Sequence, residues 1–504
     1  MKYLWSRRYL EETFSRSSIP QQDQDADFIH NKILHIQTLF NHSSDLKIQS
    51  FQIRQHNCTM LYLETLIDKE QLERLLFSLH STESSHHKND TFKFDFLEKS
   101  KDRQDVIDKL LVGYSILFVS GQPQIYFINV AASFDRSTNE PMGEKVITGS
   151  HQGFIENINI NLNLLRKTIK NIDLCINYIT LGKKTNTKIA VAYMKGIANN
   201  DLVNRVMHRL NNVSVDMGFS PGYLEELIED STSSPFPQML KTERIDRVSA
   251  NLIEGRIAIF SENSPTVFIV PINFFAFYQT SDDYNSRAYV GTFIRIIRIF
   301  CFWIAITFPA IYIAIIGFHF EVLPNELITT VKGSIEMIPY PPLIEALIME
   351  LAIELIREAG IRLPSPIGQT IGIVGGLVIG DAVVKAGLIS NIMIVVVAIT
   401  AIAAYVIPSN EMSSSVRLLR FPMMIIAAGL GFIGIVFGLM ILFIHLCALE
   451  SLGSPYFSPI APFHWKDLKD AIVRLSIWKL RNRPTDIQPK ETQQLSNLKG
   501  QKQK

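Results

Sequence analysis

The chain has little cysteine, almost no net charge and no enzyme signature. Its 504 residues include four cysteines, Cys58, Cys175, Cys301 and Cys447. They are far apart and form no CxxC pattern, which argues against a disulfide framework and a zinc site. His80, His86 and His87 have no acid or cysteine at ligand spacing, so STESSHHKND reads as a solvated loop and no metal site is expected. Lys and Arg number 49 against 48 Asp and Glu, a net charge of +1, so overall charge implies no nucleic-acid partner. The N-terminus, MKYLWSRRYLEETF, has no apolar core of signal-peptide length, because Ser6, Arg7, Arg8, Glu11 and Glu12 interrupt it. The large N-terminal domain is therefore expected on the cytoplasmic side. There is no phosphate loop with a following GK[ST], no HExxH and no GxSxG. No catalytic residue, no cofactor and no enzyme activity are expected. No repeat of about 20 to 50 residues is visible, which argues against a solenoid.

What is present is distributed unevenly. Hydrophobic residues make up 47% and charged residues 19%, yet the first 285 residues have the composition of an ordinary soluble domain. The alternation in Gln49 to Glu64 predicts two strands with a turn near His56 and Asn57. A helix over Lys69 to Leu79, another over Lys101 to Leu111, and strands over Tyr114 to Val119 and Gln124 to Val130, with Gly121 and Pro123 in the turn, complete one α/β unit. A second unit is expected after residues 137–149. It has a helix over Phe154 to Ile169, strands over Leu174 to Thr180 and Lys188 to Met194, helices over Asn200 to Leu210, Pro221 to Glu229 and Thr242 to Asn251, and strands over Arg256 to Phe260 and Thr266 to Val270. The expected fold class is an α/β cytoplasmic domain of two subdomains followed by an all-α multi-pass transmembrane domain. The expected boundaries are an N-terminal extension over 1–40, subdomains over 41–136 and 150–285, a transmembrane domain over 296–450 and a basic tail over 464–504.

Arg287, Arg295 and Arg298 precede Ile299 to Phe318, twenty residues without a formal charge, about enough for a hydrocarbon core of roughly 30 Å. The arginines point the N-terminal side toward the cytoplasm. Ile389 to Ile407 and Met423 to Ile444 are further predicted spans, and Pro366 to Gly380 either crosses or re-enters, leaving three or four spans open. Between them lies an acidic apolar helix. Glu350, Glu354 and Glu358 recur every fourth residue and form one charged stripe with Arg357. The stripe either lies wet at a membrane surface or, from several copies, surrounds an aqueous path that favours cations. Gly368, Gly372, Gly376 and Gly380, with Gly375 beside them, form a small-residue face suited to close helix packing. Asp381 and Lys385 stand one turn apart and are expected to pair. The tail is expected to hold one amphipathic helix, Trp465 to Arg481, followed by a disordered end.

REAGIRLP (Arg357 to Pro364), PIGQTIGIVGGLVIGDAVVKAGLIS after it, and PSNEMSSSVRLLRFP (Pro408 to Pro422) closely resemble the A subunits of the GerA family of spore germinant receptors. The likeness runs from about residue 40 to about residue 480. It recurs at GSHQGFIENININLNLLRKTIK (Gly149 to Lys170), where relatives are richer in arginine; here only Arg166, Lys167 and Lys170 are basic, which weakens any anion-binding role for the segment. The resemblance implies a multi-pass protein of the spore inner membrane that works with B and C subunits and responds to small nutrients such as amino acids or sugars. It also implies self-association into an oligomer that conducts monovalent cations early in germination. Two other classes stay open on the residues alone: a secondary transporter of a small nutrient or ion, and a non-conducting membrane scaffold of sporulation.

Overall fold

The computed structural model describes residues 21–494, apart from 54–55, 82–97, 101–102, 121, 123, 133–139, 142, 217–220, 337 and 364–379. Two five-stranded antiparallel sheets organise the N-terminal half. The first subdomain runs α1 (Gln21–Leu39), β1 (Leu46–Ile53), β2 (His56–Leu63), α2 (Lys69–Ser81), β3 (Glu98–Ser100), α3 (Arg103–Val112), β4 (Tyr114–Val119) and β5 (Ile125–Asn129), with strand order β1-β2-β4-β5-β3. The second runs α4 (Ile158–Thr168), β6 (Leu174–Leu181), β7 (Thr187–Met194), α5 (Asn200–Asn212), α6 (Pro221–Ile228), β8 (Leu240–Thr242), α7 (Ile245–Glu254), β9 (Ile257–Ser261) and β10 (Val267–Val270), in order β6-β7-β9-β10-β8. Counted from the first strand of each, the two orders are identical. The repeat extends to register, since Phe118 faces Ile125 in the first sheet and Phe260 faces Val267 in the second. It extends to sequence as well: LLVGYSILFV (Leu110 to Val119) aligns without gaps on LIEGRIAIFS (Leu252 to Ser261). Gly113 and Gly255, at equivalent places, adopt φ of 99° and 110°, where a Cβ is disfavoured and only glycine turns freely from helix into strand.

Both sheets bury two faces, which is why their central strands are continuous apolar runs. β4 sends Ile116 and Phe118 into one core and Leu117 and Val119 into the other. β9 divides Ala258 and Phe260 from Ile257 and Ile259 in the same way. Ile36 and Phe40 lie in the first subdomain's core, so the helix ahead of residue 41 belongs to that subdomain instead of standing apart as an extension. The subdomains are joined by Arg166 of α4. Its guanidinium is fully buried and donates to both carboxylate oxygens of Asp45 at 3.0 Å, and Asp45 also accepts from Ser43 and Thr65. Lys167 donates to the Ala132 carbonyl. Two of the three basic residues of the Gly149 to Lys170 segment are thus engaged within the chain.

A short helix, α8 (Ser281–Asn285), leads into α9 (Ala288–Phe318). α10 (Asn325–Ile335), α11 (Pro342–Arg362), α12 (Asn391–Val406) and α13 (Asn410–Ala448) follow. α9 is long and apolar enough to cross a membrane, and so by composition and total length is α13, which a reversal at Gly431 divides into two limbs. Arg295 and Arg298, two of the arginines that precede the apolar stretch, are buried around Asp283: Arg295 Nε donates at 3.1 Å and Arg298 Nη1 at 2.9 Å.

The apolar run Met423 to Ile444 is not one span. Gly431 has φ 62° and ψ −141°, and the chain reverses there into an antiparallel helical hairpin. A Cβ on Gly434 would collide with the Ile426 carbonyl, and one on Gly438 would lie 2.7 Å from the Met423 sulfur, so close passage of the limbs requires glycine. Gly431 abuts Phe318 and His319 at the far end of α9. At the near end, Ser415 donates to the Pro235 carbonyl, and His445 Nε2 lies 2.9 Å from Ser234 Oγ. Both feet of the hairpin therefore stand on the Ser234–Pro235 loop of the second subdomain. Lys241 adds an ion pair to Glu411 at the first foot and another to Glu225 at 2.5 Å.

The C-terminal tail also departs from expectation. In place of a helix over Trp465 to Arg481 there is α14 (Leu468–Ala471) and a single turn over Ile477–Lys479. Residues up to Gln494 are ordered against the second subdomain: buried Arg483 donates to the Ile253, Glu491 and Gln493 carbonyls, and Lys490 donates to Lys195 O and Asn200 Oδ1. Side-chain bonds to backbone carbonyls order a polar segment that composition alone marks as free.

Two predictions follow from the subdomain contacts. Arg166→Met strands a buried carboxylate and lowers the stability of the junction by about 3–5 kcal/mol, read as earlier thermal unfolding of the detergent-solubilised chain; adding Asp45→Leu recovers most of the loss. Glu229 faces the hairpin feet, where burial first and then Glu225 and Glu226 push its carboxyl from the ordinary 4.5 up to about 7. The folded state therefore holds this proton more tightly than the unfolded chain. Its stabilising contribution is full below about pH 4.5 and is lost as pH rises through about 7. A melting-temperature series over that window should fall for the unmodified chain and be flatter for Glu229→Gln.

Candidate functional site

The acidic helix α11 packs between α9, α12 and the first limb of α13. Pro341 and Pro342 begin it, since proline lacks the amide that a first helical turn leaves unpaired. Its N-terminal end meets the start of α12. Buried Glu345 accepts from the Ser390 amide; Ser390 Oγ caps α12 by accepting from the Met393 amide at 3.1 Å and lies 3.1 Å from Tyr312 Oη.

Further along, each of Glu350, Glu354 and Glu358 has a cationic partner. Glu350 is buried and pairs with buried Arg420, whose Nε donates to the Ala305 carbonyl at 2.9 Å. Glu354 pairs with Arg417 and, at 3.6 Å, with Arg357. Arg357 also sits 5.9 Å from the Tyr405 ring centre. Glu358 pairs with Arg362 at 2.6 Å on an exposed surface. Side-chain exposure rises from 3% at Glu350 to 43% at Glu354 and 56% at Glu358. The stripe thus passes from a sealed interior pair to an accessible carboxylate within two helical turns.

These contacts also fix direction. α9 rises from Arg295 to Phe318, α11 descends from the Tyr312 level at Glu345 to the Arg417 level at Glu354, and α12 descends from Ser390 to Ala404, where Ser413 Oγ donates to the Ala404 carbonyl. The first limb of α13 then rises beside α9, and the second descends with Phe443 against Trp303.

Burial of Glu350 and Arg420 is tolerated only because they are paired. Among the described residues, Glu350 Oε1 and Arg420 Nη2 still lack a hydrogen-bond partner, so removing either residue leaves a bare charge in an apolar layer. Asp381 and Lys385 are joined at 2.7 Å on an exposed helical turn. Gly380 begins that turn, and nothing stands within 4 Å of where its Cβ would be. Gly368, Gly372, Gly375 and Gly376 lie outside the described residues. The arginine partners Arg417 and Arg420 and the hairpin glycines Gly431, Gly434 and Gly438 were not singled out from sequence as site or packing residues. The signal was available in RLLRFP, two arginines three positions apart at the edge of a long apolar run, and in GLGFIGIVFG, whose glycines alternate with bulky residues. No group of three or more His, Cys, Asp or Glu among the described residues could hold a metal ion.

Comparison with known proteins bears on what such a layout belongs to. Residues 34–486 match the family described as Bacillus/Clostridium GerA spore germination protein. Spore germination protein KA of Bacillus subtilis (strain 168) is 37% identical over 456 residues, covering 88% of this chain and 84% of that protein. Spore germination protein A1 of the same organism is 35% identical over 478 residues, covering 93% and 97%. The uncharacterized membrane protein YfkQ, also of Bacillus subtilis (strain 168), is 38% identical over 449 residues, covering 88% of each chain. Among solved structures, the N-terminal domain of the A subunit of the Bacillus megaterium spore germinant receptor GerK3 is similar at 29% identity and a TM-score of 0.37, covering 48% of this chain and 94% of that one. With the family match extending over most of its length, the chain belongs to the GerA family of spore germination proteins.

Proposed function

We propose that this chain acts as the A subunit of a nutrient germinant receptor in the spore inner membrane. There it assembles with B and C subunits and with copies of itself into a cation-conducting oligomer whose opening triggers germination. The supporting observation is the graded exposure of Glu350, Glu354 and Glu358 along a helix that packs on α9, α12 and the first limb of α13. In a bilayer, the sealed Glu350–Arg420 pair satisfies the requirement that intramembrane charges be partnered. The accessible end of the stripe, repeated around an assembly, forms a ring of carboxylates that favours cations. Gly368, Gly372, Gly375, Gly376 and Gly380 supply the face on which helices approach closely, and Asp381 with Lys385 forms a charge pair at the edge of the layer. In this reading α9, α11, α12 and the two limbs of α13 are membrane passages and Pro366 to Gly380 is taken as a sixth, so that the paired N-terminal subdomains and the tail lie together on the cytoplasmic side. A small nutrient such as an amino acid or sugar, acting on the complex, shifts a closed assembly toward an open one through its higher affinity for the open state.

The test is cation flux from liposomes holding the chain with its co-encoded partners, with and without a panel of nutrients. Glu358→Lys, at an exposed position whose pairing is confined to its own helix, should lower nutrient-triggered cation flux by at least about tenfold, the effect of a barrier raised by roughly 1.4 kcal/mol. Glu354→Lys should do the same. Unchanged flux and ion preference in both would remove the stripe from the ion path. Flux coupled stoichiometrically to nutrient uptake would move the assembly to the transporter class.

A further inference from the structure

The tail carries a surface that none of the preceding roles uses. Residues 467–485 form a loop closed at its base, where the Thr485 amide donates to Asp467 Oδ2 at 3.0 Å. The loop lies on the root of α9: Thr292 Oγ1 donates to the Arg474 carbonyl at 3.0 Å, and Arg295 donates to the carbonyl of Asp470. Arg295 precedes the uncharged stretch that begins at Ile299 by four residues, about 6 Å of helical rise. If α9 spans the bilayer as proposed above, this is the depth of the headgroup zone, about 5–8 Å thick on each side.

The outward side of this segment has an unusual composition. Phe463, Trp465, Ile477 and Trp478 are between 55% and 71% exposed. The charged residues exposed beside them are Lys466, Lys469, Lys479 and Arg481, all basic. The two acids of the stretch are half-buried and already engaged within the chain, Asp467 by Thr485 and Asp470 by Arg295 and the Tyr284 hydroxyl. Large aromatic side chains exposed among cations, with the acids so engaged, suit the boundary where acyl chains meet anionic headgroups.

We propose that residues 462–481 form a membrane-surface anchor that inserts Phe463, Trp465, Ile477 and Trp478 into the headgroup layer on the side of the soluble domain, with Lys466, Lys469, Lys479 and Arg481 on anionic lipid. This rests on the bilayer placement of α9. The loop is rigidly tied to the root of α9 through Asp470 and Arg474, so the anchor sets how deep that helix sits.

The test uses full-length chain reconstituted in liposomes of phosphatidylcholine alone or with phosphatidylglycerol, in variants that keep a single tryptophan and replace the other three by Phe. Trp303, within the apolar stretch of α9, reports the bilayer placement itself through quenching by acyl-chain spin-labelled lipid. Trp465 and Trp478 report the anchor. They should be quenched by headgroup-labelled lipid and shielded from aqueous acrylamide when phosphatidylglycerol is present. Each of Lys466→Gln, Lys469→Gln, Lys479→Gln and Arg481→Gln should weaken that shielding about fivefold in lipid dependence. Trp465 and Trp478 open to acrylamide in both lipids, with Trp303 quenched, would overturn the anchor and leave the spanning helix intact. Trp303 unquenched would overturn both. Shielding that appears only when the partner subunits are added would assign the surface to a protein and overturn the lipid proposal.

Discussion

The structure turns on a single carboxylate. Asp283 is 1% exposed and lies between two arginines of the first long helix, Arg295 and Arg298, while Arg298 also reaches the Tyr278 carbonyl and Arg295 reaches Asp470 in the tail. One anion thereby joins three parts of the chain: the end of the second subdomain, the helix that leaves it and the segment that returns to it. A buried carboxylate with two cationic donors tolerates desolvation because its attraction is undiluted by water, and the same fact makes each partner hard to lose. Around this knot, Phe274, Phe275, Phe302 and Phe457 pack ring against ring, so the apolar core of the second subdomain continues without interruption into the helical region.

The two N-terminal subdomains are one design used twice with different outcomes. The shared strand order, register and left-handed glycine show the same backbone solution. Among the described residues, the second copy is the one that bonds to the helices, through Ser234, Pro235, Lys241 and the residues that follow Val270. The first copy reaches the rest of the chain through the second, by way of Arg166 and Asp45. The duplication leaves no short period in the sequence because its unit is a whole subdomain and only the glycine-to-strand core of the two copies aligns closely.

Much of the fold was legible in sequence. β4 and β7 were placed within a residue of where they lie, since continuous apolar runs bounded by turn residues leave few alternatives. The stripe on α11 was legible because four-residue spacing puts side chains on one face whatever surrounds them. What local pattern could not supply was the partners. Arg417 and Arg420 stand some sixty to seventy positions from the acids they neutralise, and the reversal at Gly431 depends on a left-handed backbone that an apolar window reads as continuous helix. The tail departs from expectation for a related reason: Arg483 bonds to the Ile253 carbonyl 230 positions away as well as to those of Glu491 and Gln493, and composition records only its charge.

The hairpin of α13 has both feet on the Ser234–Pro235 loop and its tip against the far end of α9. A rod fixed at one point can swivel, but a rod fixed at two adjacent points behaves as a lever whose angle is set by its footing. The angle at which the hairpin leaves the second subdomain therefore fixes where its tip meets Phe318 and His319. The glycine-lined seam brings the limbs into backbone contact along their length, so the hairpin is one stiff element. The footing on the sheet domain and the seat at the distal end of α9 are in this way two ends of a single part.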